Sequence, residues 1–355
     1  MTDTEKCEFM RPAKVAVVSI SFLVSILYIA STQELPISTI TVPNVFQLEP
    51  GRRYLSSRLA SRSRLGNHLF ELAAILGMAR TLNRTATFLV EDENYANLLK
   101  NTNETIPGLI RQYLIGEGRI PSSTRNTTFT ARCCVYVDPN VLRNIDDQHI
   151  HLEGHYYQSW KYFPNMQKEL ISYLKTPPNS YGNLPKSDGN TDVICVHVRR
   201  GDFVNNGFAP SDNKFIRRAI EYINKQENAQ KQSRKIVLFG VGLEFMKALY
   251  NDTILSTETN RSNSSHFISL NKPSDDLLYS RENCDFVLIS APHSTFGWWM
   301  GYLSKKNKVY YADVRTMNDS IYMNGKLHPY DYYLPHWTPL RLSSENDTVV
   351  ESVNK

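Results

Sequence analysis

The sequence predicts an α/β protein built on a parallel, doubly wound sheet, and three observations predict it. Strand-like apolar runs alternate with helical periods from Val193 to Lys305, the pattern that places helices on both faces of a parallel sheet. A stretch rich in Pro, Gly, Asn and Ser, "KTPPNSYGNLPKSDGN" (Lys175–Asn190), divides the chain just ahead of that alternation. With 355 residues, 41% of them hydrophobic and 21% charged, the chain is long enough for one large domain or two ordinary ones around a sizeable core. The formal net charge of +5 is mild for this length. No basic face or basic helix stands out, so no nucleic-acid partner is expected.

The first element is an uncharged, β-branched and Leu-rich run, Val15–Thr32, near the minimum length for a bilayer-spanning helix. Lys6, Arg11 and Lys14 precede it and favour a cytosolic tail over 1–14, a single signal anchor over 15–32 and a lumenal remainder. A cleaved signal peptide is the competing reading; the run is longer than a usual signal core, and "IASTQELP" is only a fair cleavage site. Residues 33–63 carry scattered Pro, Ser, Thr and Arg without an apolar period and read as a stem. Asn83, Asn103, Asn126, Asn251, Asn260, Asn263, Asn318 and Asn346 each begin an Asn-x-Ser/Thr triplet, in keeping with a secretory route. Beyond Cys7, the cysteines are Cys133, Cys134, Cys195 and Cys284. An even number in an oxidising compartment allows disulfides, while Cys195, inside an apolar run, reads equally well as a buried thiol.

Leu65–Leu82 repeats apolar residues at helical spacing after a Gly-Asn turn, and Ala86–Val90 reads as a strand, so the head is expected to open with a helix leading into a sheet. This first domain spans 64–185. The second spans 190–342, with a tail over 343–355: strands at Val193–Val198, Ile236–Val241, His266–Leu270 and Phe286–Ser290 alternate with helices at about Ser211–Gln226, Leu243–Tyr250, Ser274–Ser280 and Phe296–Lys305.

Ligands bind such sheets at the carboxyl ends of the strands. There the sequence places "HVRRGD": His197, Arg199, Arg200, Gly201 and Asp202. Adjacent arginines on an extended chain point to opposite sides, so one can reach a ligand while the other holds the surroundings. A guanidinium fork matches phosphate oxygens. A loop-fixing Arg–Asp salt bridge is the plainer alternative, and position at a strand end favours the binding role. A second strand end, "ISAPHSTFGWW", offers Ser290, Ser294 and Thr295 at a helix start, which suits either an anion or simple N-capping. Two acidic or histidine-bearing runs are weighed for metal. "FLVEDENY" holds Glu91, Asp92 and Glu93 without the Asp-x-Asp of metal-dependent nucleotide-sugar enzymes. "HIHLEGHYY" places His149, His151, Glu153 and His155 at period two, and reads better as a polar strand face than as a ligand set.

"SRLGNHLFELAAILGMA", "EGHYYQSWKYF", "HVRRGD", "STFGWWMGYLS" and "YLPHW" together resemble the galactoside α-1,2-fucosyltransferases, glycosyltransferase family 11, in that family's order and from Ser63 to about Trp337. The resemblance implies a GT-B-like architecture of two Rossmann-like domains, GDP-β-L-fucose as donor, and a glycan ending in β-galactose as acceptor on its 2-hydroxyl. It also implies inversion at the anomeric carbon, no required metal or other cofactor, and a single-pass Golgi membrane protein with a lumenal head. Carried over, Arg199 is the diphosphate ligand, supported by Arg200, His197 and Asp202. Ser294, Thr295, Phe296 and Gly297 line the phosphate and fucose side, and Asn67 faces the donor across the cleft. Asp202 is the candidate base besides its plainer role of orienting the arginines. Ser63 and His68 stand where the family usually has Gly and Gln, which bears on acceptor choice. A sugar-binding protein without turnover, or a fucosyltransferase with another acceptor, are the alternative readings.

Overall fold

The computed structural model describes residues 48–130, 132–227, 233–249, 266–345 and 347–353. The expected tail 1–14, anchor 15–32, stem up to residue 47, Cys7 and the triplets at Asn251, Asn260, Asn263 and Asn346 lie outside these residues. Among the described residues no helix is long and apolar enough to cross a membrane.

Two sheets carry the structure. The first joins β1 (Tyr54–Ser57), β2 (Thr85–Val90), β3 (Leu114–Glu117), β4 (Arg125–Thr128) and β5 (His149–Glu153) in the order β3-β2-β1-β5-β4, all parallel. The second joins β6 (Thr191–Arg199), β7 (Ser233–Val241), β8 (His266–Ile268), β9 (Phe286–Ile289), β10 (Val309–Ala312), β11 (Thr338–Leu342) and β12 (Val349–Glu351) in the order β12-β11-β10-β9-β6-β7-β8, parallel except for the antiparallel β11–β12 pair. The α/β class with parallel sheets is thus the one the alternation predicts.

One element departs from the sequence reading. The head opens with a strand, not a helix: β1 falls inside the stretch read as stem, and all four of its residues are buried at the centre of the first sheet. The serines hide it. Ser56 and Ser57 break the apolar signal, yet both hydroxyls are satisfied inside the sheet, Ser56 by His149 (2.8 Å) and His151 (2.9 Å) and Ser57 by the Tyr157 hydroxyl (2.6 Å). Those bonds also account for the two strand histidines. They share a face, as period two requires, and burial pushes the pKa of both down.

The Leu65–Thr81 helix is buried from His68 to Ala79 because it is clasped on two sides. One side packs on the first sheet. The other packs on the Thr295–Leu303 helix, where Phe70 meets Trp298 and Trp299 with ring centroids 4.4 and 5.3 Å apart. β6 shows how the second sheet is shared. Val193 and Cys195 face the core that also holds Leu55, Leu69 and Phe70, while Ile194, Val196 and Val198 face Phe215, Ile216, Ala219, Ile220 and Ile223 of the Asn213–Gln226 helix. Being covered on both faces explains why β6 reads as a continuous apolar run. A disulfide joins Cys195 to Cys284, just after the Pro273–Asn283 helix. The free-thiol alternative for Cys195 therefore falls, and Cys133 and Cys134 form a vicinal disulfide.

Candidate functional site

β6 delivers its last residue, Arg199, to the carboxyl edge of the second sheet in register with Val241 at the end of β7. Gly201, at φ +57°, turns the chain there into the short Asp202–Asn205 helix, a backbone conformation that favours glycine. The turn brings Asp202 back to the Arg199 guanidinium at 2.7 Å. Arg199 is then fixed from every side. Its backbone amide donates to Ser211 Oγ at 2.8 Å, its guanidinium lies 5.3 Å from the Phe203 ring centroid, and its side chain is only 11% exposed. Its Nε is buried without a hydrogen-bond partner among the described residues, a donor in want of an acceptor.

Arg200 points the other way, as extended backbone dictates. It donates to the Ser211 carbonyl at 2.6 Å and lies 4.8 Å from the Phe245 ring centroid, without touching Arg199. The support for Arg199 comes from Asp202 instead. Burial pushes the Asp202 carboxyl up, but the Arg199 bond and charge, with Arg64 3.6 Å away, outweigh it and leave its pKa below the ordinary carboxylate value. Arg64 precedes the Leu65–Thr81 helix, so Asp202 ties the two halves of the chain together. Sequence reasoning misses Arg64 although it adjoins the quoted "LGNH", because nothing local relates it to a carboxylate so far along the chain.

The second strand end is more tightly committed than its hydroxyls suggest. Ser290 is buried, donates to the His197 carbonyl at 2.6 Å and meets Ser211 Oγ at 2.7 Å, so it braces the β6 end rather than offering a hydroxyl to an anion. Ser294 caps the Thr295–Leu303 helix by accepting from the Gly297 amide. Ser294 Oγ also stands 3.3 Å from His197 Nε2. His197 is buried against Gly297, where an added Cβ would come within 2.7 Å of Nδ1. Burial, with Arg199 adding to it, pushes its pKa down to about 3, so the imidazole is neutral packing beside the cation.

Asn67 does not face Thr295 across a gap. Its Oδ1 accepts from Thr295 Oγ1 at 2.9 Å and from Gln158 Nε2 at 3.1 Å. The two helix starts abut, with Gly66 so close to Thr295 and Phe296 that a Cβ would meet Thr295 Oγ1 and the Phe296 amide at 2.7 Å. His68 turns inward, with Nε2 3.3 Å from the Ala60 carbonyl. The structure therefore gathers Arg199, Arg200, Asp202, His197, Ser294, Thr295, Phe296, Gly297 and Asn67 around one junction, with Arg64, Ser211 and Gln158 added. Gln158 sits within the quoted "EGHYYQSW"; Ser211 carries no sequence signal.

The runs weighed for metal have other employment. Asp92 caps the Glu93–Asn103 helix, accepting from the Asn94 and Tyr95 amides, and His149 and His151 hold Ser56. A cleft of about 470 Å³ lined by Trp160, Pro164, Tyr302 and His336 opens at the far end of the Thr295–Leu303 helix, away from the arginines.

Residues 140–341 match the model of the family described as "Glycosyl transferase family 11". Among curated proteins, the chain is 47% identical over 312 residues to the Caenorhabditis elegans protein named "Putative galactoside 2-alpha-L-fucosyltransferase svh-11", covering 87% of this chain and 85% of the relative. It is 33% identical over 302 residues to a Caenorhabditis elegans galactoside 2-alpha-L-fucosyltransferase, covering 78% and 74%. Among solved structures, a mutant of Arabidopsis thaliana FUT1 in complex with GDP aligns over 76% of this chain and 72% of that one, at a TM-score of 0.45 and 13% identity. With the family model and the first of these relatives each spanning more than half of its length, the chain belongs to glycosyl transferase family 11 and is a fucosyltransferase.

Proposed function

We propose that the protein moves L-fucose from GDP-β-L-fucose to the 2-hydroxyl of a terminal β-galactoside, with inversion and without a required metal. The observation that carries this reading is Arg199, held by Asp202 at the carboxyl end of β6 beside the Thr295–Leu303 helix start, with a buried Nε unpaired among the described residues. As the sugar–phosphate bond breaks, negative charge grows on the β-phosphate. A guanidinium already fixed in place stabilises that charge more than it stabilises the bound donor, which is what a rate effect demands. The amides at the helix start add partial positive charge on the same side. Asp202 spends its carboxylate on Arg199 and Arg64, which favours its orienting role over that of base.

The test is release of GDP from GDP-fucose by the purified chain with β-galactoside acceptors, followed by linkage analysis. Arg199→Ala is expected to lose about 100-fold in turnover while the protein remains folded. Near-normal turnover by a folded variant would remove the phosphate role, and loss of activity in EDTA would overturn the metal-free reaction. Donor hydrolysis without transfer to any acceptor would favour the sugar-binding alternative. We further propose a Golgi membrane protein with a lumenal head, supported by the apolar run behind Lys6, Arg11 and Lys14 and by the disulfide between Cys195 and Cys284. Protease protection of the head in sealed microsomes tests that topology.

A further inference from the structure

Away from Arg199, three soft donors converge. Cys133 Sγ, Cys134 Sγ and a ring nitrogen of His293 lie within 4.8 Å of one another. Cys134 is buried, and Cys133 is half-buried at the rim, so the group has a closed side and an entrance. The backbone around it is pinned. Cys134 pairs with the 326–328 segment through its amide to Lys326 O (3.2 Å) and its carbonyl from the His328 amide (3.0 Å), and the Gln158 amide donates to the Cys133 carbonyl at 2.7 Å.

We propose that this cluster, in its dithiol state, is a binding site for a thiophilic cation of the zinc type, held by the Cys133 and Cys134 thiolates and His293 Nε2. Three features carry it. First, two ligands of a tetrahedral zinc, a sulfur at about 2.3 Å and a nitrogen at about 2.1 Å, stand about 3.6 Å apart. Cys134 Sγ and His293 Nε2 are 3.6 Å apart. Second, the other nitrogen of His293 faces a buried carboxylate, Asp319 Oδ2, at 4.0 Å. That Asp319 is itself fixed by the Ala209, Ile321 and Tyr322 amides. A carboxylate behind the remote ring nitrogen is the outer-shell arrangement that orients a metal-binding imidazole. Third, His293 Nδ1 is buried with no hydrogen bond among the described residues, so the ring has no other polar task than the one its Nε2 side offers. Gln158 Oε1, 3.1 Å from Cys134 Sγ, borders the site and links it through Gln158 Nε2 to Asn67.

The disulfide closes the site and its reduction opens it. A dithiol reductant supplies two electrons and two protons, converting the Cys133–Cys134 bond to two thiols and itself to a cyclic disulfide. The two sulfurs then relax to non-bonded separation, and on metal entry both thiol protons are released to solvent. The site is separate from the transfer reaction proposed above and stands or falls without it.

Cobalt(II) is the probe, because thiolate ligands give it an intense near-ultraviolet charge-transfer band and tetrahedral ligation strengthens its visible bands. The purified full-length chain, reduced by a dithiol and freed of reductant without oxygen, is expected to bind about one cobalt per chain with that band, and zinc is expected to bleach it. The oxidised chain should show no band, an arm that needs no substitution. Cys133→Ser, at the half-buried rim, should lose the band while keeping the circular dichroism of the parent. Titratable thiols after reduction without a charge-transfer band would overturn the proposal. So would a band that survives Cys133→Ser, since the ligands would then lie elsewhere.

Discussion

Glu71 lies midway along the Leu65–Thr81 helix without exposed surface, and its carboxylate accepts the Ala60 amide at 3.0 Å and the Tyr156 amide at 2.8 Å. Burial pushes its pKa up to about 7 against those two amides. Asp276 is pushed to about 7 by burial too, with the Ser269 hydroxyl opposing and Asp275 adding to the rise. Both groups therefore keep a proton in the folded chain that the unfolded chain has already released. The sign follows: their contribution to stability is whole below the unfolded carboxyl pKa, about 4, and is lost as pH rises through about 7. Urea midpoints measured between about pH 5 and about pH 7.5 should fall, by about 1.4 kcal/mol per pH unit for each group. Glu71→Gln should flatten part of that slope; an unchanged slope would place the titration elsewhere. At this scale the sequence is informative where partners are neighbours. Arg199 and Asp202 are three apart at a strand end, and their pairing is readable from that spacing alone. Glu71 and Arg64 are opaque, because their partners at Ala60, Tyr156 and Asp202 come from loops whose return is set by tertiary packing.

Among the elements, the long ones are legible and the short ones are not. The Leu65–Thr81 helix and β6 announce themselves by sustained period or by continuous burial. β1 has four residues, two of them serine, and borrows its place from β2 and β5 on either side. The junction of helices also depends on absences that a pattern does not weigh. Gly77 is helical with ordinary backbone angles, yet a Cβ there would collide with the Tyr162 carbonyl oxygen and press on Phe163. Helix propensity alone favours Gly77→Ala by about 1 kcal/mol. The expected result is the opposite, a net loss on the order of 1–3 kcal/mol from overpacking against rigid backbone, read as a lower urea midpoint. A more stable variant would mean that the Trp160–Tyr162 turn yields without cost.

For the molecule as a whole, the Lys175–Asn190 stretch suggests a boundary between two independent bodies. The packing joins what flanks it. Phe70, Phe163, Trp298, Trp299 and Tyr332 belong to a single apolar cluster that also takes in residues of both sheets, and both sheets lie in one compact unit. Composition and Pro/Gly content report where a chain can bend, not whether the surfaces on either side are apolar enough to fuse. A large apolar junction suppresses independent motion and independent melting. Unfolding in urea should therefore show one transition, with tryptophan fluorescence and far-ultraviolet circular dichroism coincident. Two separated transitions would show that each half holds its own.

That shared core also has a meaning during synthesis. Phe70 leaves the ribosome long before Trp298, and at ordinary elongation rates the interval of about 230 residues lasts roughly ten to fifty seconds. For that time one side of the Leu65–Thr81 helix has nothing to cover it. A nascent chain with such an exposed apolar flank is a client for chaperones, and a truncation anywhere before the Thr295–Leu303 helix leaves it one permanently.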